Sequence, residues 1–187
     1  IALVKRKEYL HRLIQWKDEQ LIKVVTGIRR CGKSTMLMQY QEWLKDNNIS
    51  DEQIISINFE DLEYEELQDY QKLYDYLKHR LCKGKMTYIF LDEIQKVPSF
   101  EKVVDSLYIK ANVDIYITGS NAYMLSGDLA TLLTGRYVEI KMLPLSFKEF
   151  LEICKMDQER GLTEYMRVGG LPYIATMDRT QEKLETY

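Results

Sequence analysis

The chain has 187 residues, 45% of them hydrophobic, and its 26 basic and 29 acidic side chains leave a net charge of −3. That length suits one α/β domain with at most a short appendage. The apolar content supports a packed core, and the charge balance argues against a surface broadly coated by nucleic acid. The cysteines Cys31, Cys82 and Cys154 stand far apart with no CxxC pair, and the histidines are His11 and His79, so neither a disulfide framework nor a zinc site is expected and a reducing cytoplasm is the expected setting. No apolar run approaches the ~20 residues that span a bilayer, so no membrane partner is expected.

Lys5 to Lys17 reads as an amphipathic helix with Tyr9, Leu10, Leu13, Ile14 and Trp16 on its apolar contacts. The basic run Lys5-Arg6-Lys7 directly follows the apolar Ile1–Val4, a pattern unlike a signal peptide. Leu21–Thr26 is a β-branched run ending at Gly27 and reads as a buried strand. A helix is predicted from Lys33 to Lys45, a second strand over Gln53–Phe59, and a helix carrying Leu67, Tyr70, Tyr74, Leu77 and Leu81. Thr87–Leu91 is the third strand and runs into Asp92-Glu93; Ser99 is placed to cap the next helix. Asp114–Thr118 and Tyr137–Met142 are the fourth and fifth strands, and a helix follows Ser146. Strands alternating with helices imply a parallel sheet covered on both faces, with ligands at the carboxyl ends of the strands.

Gly27-Ile28-Arg29-Arg30-Cys31-Gly32-Lys33-Ser34 fits the phosphate-loop pattern G-x-x-x-x-G-K-[ST]. Glycines let the loop curl until its N–H groups share one hollow, and the helix that begins there favours an anion. Lys33 then reaches the outer phosphates, the Ser34 hydroxyl suits Mg²⁺, and Thr35 extends the donor set. Arg29 and Arg30 each have two readings, facing phosphate or an acidic neighbour, or solvated in the loop. Cys31 reads as a small residue that fits, with oxidation sensitivity as the second reading.

Asp92 at a strand tip is suited to hold Mg²⁺ and bond Ser34, and Glu93 to accept a proton from an attacking water or to orient it. One strand between the loop strand and the acidic strand suggests a sheet order of 5-1-4-3-2. Asn58, at the end of the second strand, is a candidate to hold Glu93 inactive. Ser120 or Asn121 is expected to point at the γ-phosphate or the attacking water. Arg136 reads either as an arginine finger or sensor, in cis or in trans, or as a strand-edge arginine paired with Glu139 or another acid. The tyrosines Tyr64, Tyr70, Tyr74 and Tyr76 fit helix packing better than base stacking.

The segments GIRRCGKST, INFED, TYIFLDEIQKV, YITGSNAYML, LLTGRYVEIKMLPLSFKEF and VGGLPYI together resemble prokaryotic AAA-type P-loop ATPases, relatives of the STAND and AAA+ ATPases. The resemblance runs from about Leu3 to Ile174. It implies a three-layer α/β P-loop NTPase fold with about five parallel strands, and ATP and Mg²⁺ as cofactors. Lys33, Ser34, Asp92, Glu93, Ser120 and Arg136 would hold the roles described above. It implies too that residues 1–150 form the ATPase core and that 151–187, with Gly169-Gly170-Leu171-Pro172, begin a helical lid or linker to a C-terminal domain absent from this sequence. The expected function is Mg²⁺-dependent, slow ATP hydrolysis. The alternatives are a nucleotide-gated switch with little turnover and self-association or a protein partner, or a DNA-associated ATPase whose nucleic-acid contacts lie in that further domain. A GTPase is disfavoured because no N-K-x-D segment is present to read guanine, and a small-molecule kinase because no arginine-rich lid is evident.

Overall fold

Five short runs rich in Val, Ile, Tyr and Phe form the strands, and the amphipathic stretches between them form the helices. The computed structural model describes residues 6–120, 124, 129–154 and 158–170. In chain order these contain α1 (Lys7–Gln15), β1 (Ile22–Thr26), α2 (Lys33–Asp46), β2 (Ile54–Asn58), α3 (Tyr70–Lys78), β3 (Thr87–Asp92), α4 (Phe100–Tyr108), β4 (Val113–Gly119), α5 (Leu129–Leu132), β5 (Tyr137–Lys141), α6 (Phe147–Cys154) and α7 (Gln158–Val168). The sheet is parallel with the order β2-β3-β4-β1-β5, the order read from the sequence.

Alternation along the strands divides the core into two layers. Val24, Ile57, Leu91 and Ile117 face one side, where Leu73 and Leu77 of α3 and Val103 and Leu107 of α4 cover them. Val25, Phe90, Tyr116 and Ile140 face the other, against Leu13 of α1 and Met36, Tyr40 and Leu44 of α2. The three central strands are almost wholly buried, whereas β2, at an edge, alternates buried and exposed residues. Tyr64, Tyr70, Tyr74 and Tyr76 pack, partly buried, against the first layer, as the packing reading expects.

Two element starts and one cap differ from expectation for local reasons, beyond shifts of one or two residues elsewhere. Gln53 is not the first residue of β2; it closes a 3-10 turn through a capping box with Ser50 and donates to the Met86 carbonyl at 3.0 Å. The helix around Leu67 begins only at Tyr70, because the Asp69 carboxylate accepts the N–H groups of Gln71 and Lys72 at 2.9 and 3.1 Å and Leu62–Gln68 is 3-10. Ser99 makes no side-chain cap; it sits at φ 61°, and its carbonyl accepts from the Lys102 N–H at 3.1 Å.

A polar network lies inside the sheet near the amino ends of its strands. The Lys23 ammonium of β1 donates to Asp114 of β4 at 2.5 Å, with side chains 0% and 1% exposed. Asp114 also accepts from the Tyr116 hydroxyl at 2.8 Å and the Asp18 N–H at 3.0 Å, while Tyr116 and Tyr40 share a 2.7 Å hydrogen bond and Tyr88 donates to Asp18 at 2.6 Å. Burial pushes the Asp114 carboxyl above the usual aspartate range despite the ammonium beside it, and raises the three phenols. Buried ionic groups hold register well when each is hydrogen-bonded. Here the network pins Lys23 opposite Tyr116, which sets Val25 opposite Thr118 and Thr26 opposite Gly119.

Candidate functional site

The loop Gly27–Gly32 joins β1 to α2 at the carboxyl end of the sheet. Its first glycine is required by space. A Cβ on Gly27 would lie 2.5 Å from the Met142 carbonyl oxygen and 2.7 Å from Cys31 Sγ, and the backbone atom has nowhere to go. Arg30 and Gly32 have φ 65° and 101°, which turn the loop tightly into the first turn of α2. Lys33, 4% exposed, folds back over the loop and donates to the carbonyls of Gly27 and Ile28 at 2.9 and 3.0 Å. Ser34 is exposed and hydrogen-bonds Asp92; Thr35 is half-buried one position on.

The other side chains diverge from the centre of this loop. Arg29 is 71% exposed and pairs with Glu60 at 2.8 Å, the acidic-neighbour reading. Cys31 is fully buried in the second core layer, and burial pushes its thiol pKa up, with Lys33 and Arg6 pulling the other way. A buried thiol with a raised pKa is a poor target for oxidants, which favours the reading of a small residue that fits. Cys31 offers the site its backbone alone.

Asp92 and Glu93 follow one another at the tip of β3, 7% and 6% exposed. Burial raises the Asp92 pKa; hydrogen bonds from Ser34 and Thr118 oppose that, and the Glu93 charge adds to it. Glu93 adopts φ 57°, a left-handed conformation that costs a non-glycine residue about 1 kcal/mol or more. The turn is held by its N–H, which donates to Thr118 Oγ1 at 2.9 Å, while the same hydroxyl donates to Asp92. One buried threonine thus orients both acids. The Glu93 carboxylate is gripped as well: Ser120 Oγ and Gln95 Nε2 donate to Oε2 at 2.7 and 2.5 Å, and Lys33 Nζ lies 3.7 Å from Oε1. Because a carboxylate only accepts, the Gln95 amide must turn its nitrogen to Glu93, which leaves Gln95 Oε1 buried without a partner among the described residues.

The structure therefore brings Lys33, Ser34, Asp92, Glu93 and Ser120 together at one end of three adjacent strands. Thr118 and Gln95 join them and were not read from the sequence. Register brings Thr118 in: Leu91 pairs with Ile117, so the next residues on the two strands are level. Asn58 does not join. It is exposed, and its side chain accepts the Glu60 N–H at 3.0 Å, an Asx turn that ends β2 locally. Asn121 lies outside the described residues, as do Leu171 and Pro172.

Arg136 also stands apart. Its carbonyl accepts the N–H of Ile22, the first residue of β1, whereas the phosphate loop follows the last residue of that strand. At ~3.3 Å per strand residue, these ends are ~13 Å apart. The guanidinium pairs with Asp105 of α4 at 2.8 Å and stacks 4.6 Å from the Tyr108 ring centre, with Nε buried and unpartnered among the described residues. In this structure Arg136 therefore stands away from the phosphate loop of its own chain. Asp105 is thus the other acid of the strand-edge reading, and Glu139 instead accepts from the Thr26 hydroxyl at 2.8 Å and supports the end of β1.

The sheet order, the glycine-bounded loop and the acidic strand tip together define the fold of AAA-type P-loop ATPases. The family model described as AAA domain matches residues 19–151, and this chain belongs to that family. It is 45% identical over 183 residues to an uncharacterized protein of Haemophilus influenzae, an alignment that covers 95% of this chain and 46% of that protein, so the chain spans about half its length. Among solved structures it is similar to the Walker-type ATPase PABY2304 of Pyrococcus abyssi (TM-score 0.55, 18% identity, covering 92% of this chain and 65% of that one). It is also similar to the Aeropyrum pernix Orc1 protein in complex with DNA (TM-score 0.55, 15% identity, covering 99% and 65%). At these identities the structural likeness shows the fold alone. Among the described residues no helix is long and apolar enough to cross a membrane.

Proposed function

We propose that this chain binds ATP with Mg²⁺ and hydrolyses it slowly. The observation that carries this reading is the convergence of the curled loop, Lys33, Ser34, Asp92 and Glu93 at one end of the sheet. The donors fit the ligand. Loop amides and an ammonium suit a polyphosphate, and a hydroxyl beside a carboxylate supplies hard oxygens to a cation that takes its remaining ligands from phosphate and water. The cation would neutralise charge on the outer phosphates. Gly27, Arg29, Arg30, Cys31, Gly32 and Thr35 complete the loop, of which Cys31 contributes backbone only.

In this reading Lys33 leaves the loop carbonyls for the phosphates. That withdraws a cation from Glu93 and leaves Ser120 and Gln95 to position its carboxylate toward water as a general base. Slow turnover is favoured because Ser120 and Gln95 still donate to that carboxylate and so lower its basicity. The same observation supports the second reading, a nucleotide-gated switch with little hydrolysis. Arg136 acts, if as a finger, on a neighbouring copy, so self-association accompanies turnover. Residues 1–150 act as the core and 151–187 as the start of a lid or linker. A nucleic-acid partner engaged through a further domain is the third reading, and salt-dependent DNA binding tests it. A cytoplasmic setting suits a nucleotide at cellular concentration.

The test is phosphate release with and without Mg²⁺. Lys33→Ala and Glu93→Gln should each lower the Mg²⁺-dependent rate by about 10²-fold. An unchanged Glu93→Gln rate with intact nucleotide binding selects the switch over the ATPase.

A further inference from the structure

Arg6 is only 6% exposed, although it lies in a basic run at the start of an amphipathic helix. A buried arginine needs acceptors for its five N–H donors. Here they come from three parts of the chain. Nη1 donates to the carbonyl of Cys31, inside the phosphate loop, at 3.3 Å, and to that of Leu143 at 2.5 Å. Nη2 reaches the Pro144 carbonyl at 3.4 Å and the Tyr9 hydroxyl at 3.5 Å, and Nε donates to Glu149 of α6 at 2.9 Å. The guanidinium also lies 4.5 Å from the Tyr9 ring centre.

The Cys31 contact bears directly on anion binding. In a trans peptide the C=O of one residue and the N–H of the next point in opposite directions. Holding the Cys31 carbonyl toward Arg6 therefore aims the Gly32 N–H the other way, and a phosphate loop works only when its amides face the hollow. The remaining contacts fix the guanidinium itself. Glu149 is held ionised: burial raises its carboxyl, but hydrogen bonds from Ser146 and the Arg6 charge outweigh that and lower it. The anchored segment continues into α7, because the Leu145 carbonyl accepts from the Tyr165 hydroxyl at 2.8 Å and the Leu145 N–H donates to Gly170. A Cβ on Gly170 would lie 2.3 Å from that Leu145 oxygen, so the glycine is what lets the chain approach.

We infer that Arg6 is a positioning residue for the phosphate loop: it turns the Cys31–Gly32 peptide so that its amide faces the phosphate, and ties that peptide through Glu149 to the segment 143–149. This rests on the nucleotide-binding reading above. Because binding couplings are reciprocal, loosening Glu149 must be felt as weaker nucleotide binding even though Glu149 never touches the loop.

The experiment measures the Kd of a fluorescent ATP analogue with Mg²⁺, together with KM and kcat, for the wild type, Arg6→Ala, Arg6→Lys, Glu149→Gln and the double variant Arg6→Ala/Glu149→Gln, with folding checked by circular dichroism. Arg6→Ala should raise Kd and KM about tenfold, as for loss of a charge-assisted hydrogen bond, with kcat much less affected because bound phosphate itself orders the loop. Arg6→Lys should be nearly as weak, since an ammonium keeps the charge but not the fork. Glu149→Gln should weaken binding severalfold, and the double variant should be no worse than Arg6→Ala. A Kd within twofold of wild type in Arg6→Lys, or strictly multiplicative effects of the Arg6 and Glu149 changes, overturns the inference. Should Arg6→Ala fail to fold, Arg6→Lys and Glu149→Gln alone decide it. If the wild type binds no nucleotide, the functional reading fails first and this inference with it.

Discussion

Replacing Lys23 by Met should cost the fold about 3 kcal/mol. Removing one partner of a buried ion pair leaves an uncompensated charge, typically at a cost of about 3–5 kcal/mol. Asp114 would keep two donors, the Tyr116 hydroxyl at 2.8 Å and the Asp18 N–H at 3.0 Å, which places the expectation at the low end. Against a domain stability of about 5–15 kcal/mol, that is a large fraction. Acid should return part of the loss. Burial holds the Asp114 carboxyl above its ordinary value, so over the interval between the unfolded and folded pKa the folded chain carries the extra proton, and stability falls as pH rises through it. In Lys23→Met the opposing ammonium is gone, the interval widens upward, and the penalty should shrink between pH 7 and pH 5. Urea unfolding followed by circular dichroism at both pH values measures this. A companion Lys23→Met/Asp114→Leu variant, with neither charge buried, should be more stable than the single one. A penalty below about 1 kcal/mol, or one that is identical at the two pH values, refutes the argument that this pair fixes the register of β1 on β4.

Asp92 should behave oppositely for fold and function. Its carboxyl is raised above the usual aspartate range, chiefly by burial, so its charge costs stability at neutral pH; Asp92→Asn should raise the unfolding free energy at pH 7, leave it unchanged at pH 3, and remove the Mg²⁺-dependent part of nucleotide affinity. Thermal melts at the two pH values and a Mg²⁺ titration check both signs. Gly27→Ala should destabilise the fold by about 1–3 kcal/mol and abolish nucleotide binding, because the added methyl meets the Met142 carbonyl; wild-type affinity in the variant would show that the loop has room. Thr118→Val leaves the buried Glu93 N–H without its acceptor and should cost about 1–3 kcal/mol, read from the melting temperature, together with a lower rate of phosphate release.

The sheet order was legible because the strands are short apolar runs alternating with helices, and because the loop strand and the acidic strand each end in a polar cluster with one strand expected between them. Val25 to Gly27 and Leu91 to Glu93 announce both their burial and their exit point. Lys33, Ser34, Asp92, Glu93 and Ser120 were legible for the same reason, since they fall at strand or loop ends on one side of a parallel sheet. For Arg136 the sequence left a finger and a strand-edge ion pair open, because a motif gives order along the chain but not the neighbours across it; the structure supplies the acid, Asp105 of α4. Asn58 was drawn away by its own backbone, an outcome decided by one Asx turn. Thr118 and Gln95 were overlooked because their roles depend on register between β3 and β4 and on the left-handed turn at Glu93. Arg6 carried no signal beyond its place in a basic run, because its acceptors come from the phosphate loop and from the segment after β5, far away in the chain.

Equilibrium titration of ATP with and without Mg²⁺, on the wild type and on Lys33→Ala, tests the account most directly. The wild type should bind, more tightly with Mg²⁺, and Lys33→Ala should lose at least about tenfold in affinity while keeping its fold. Equal affinity in the two proteins, or no binding by folded wild type, would contradict it.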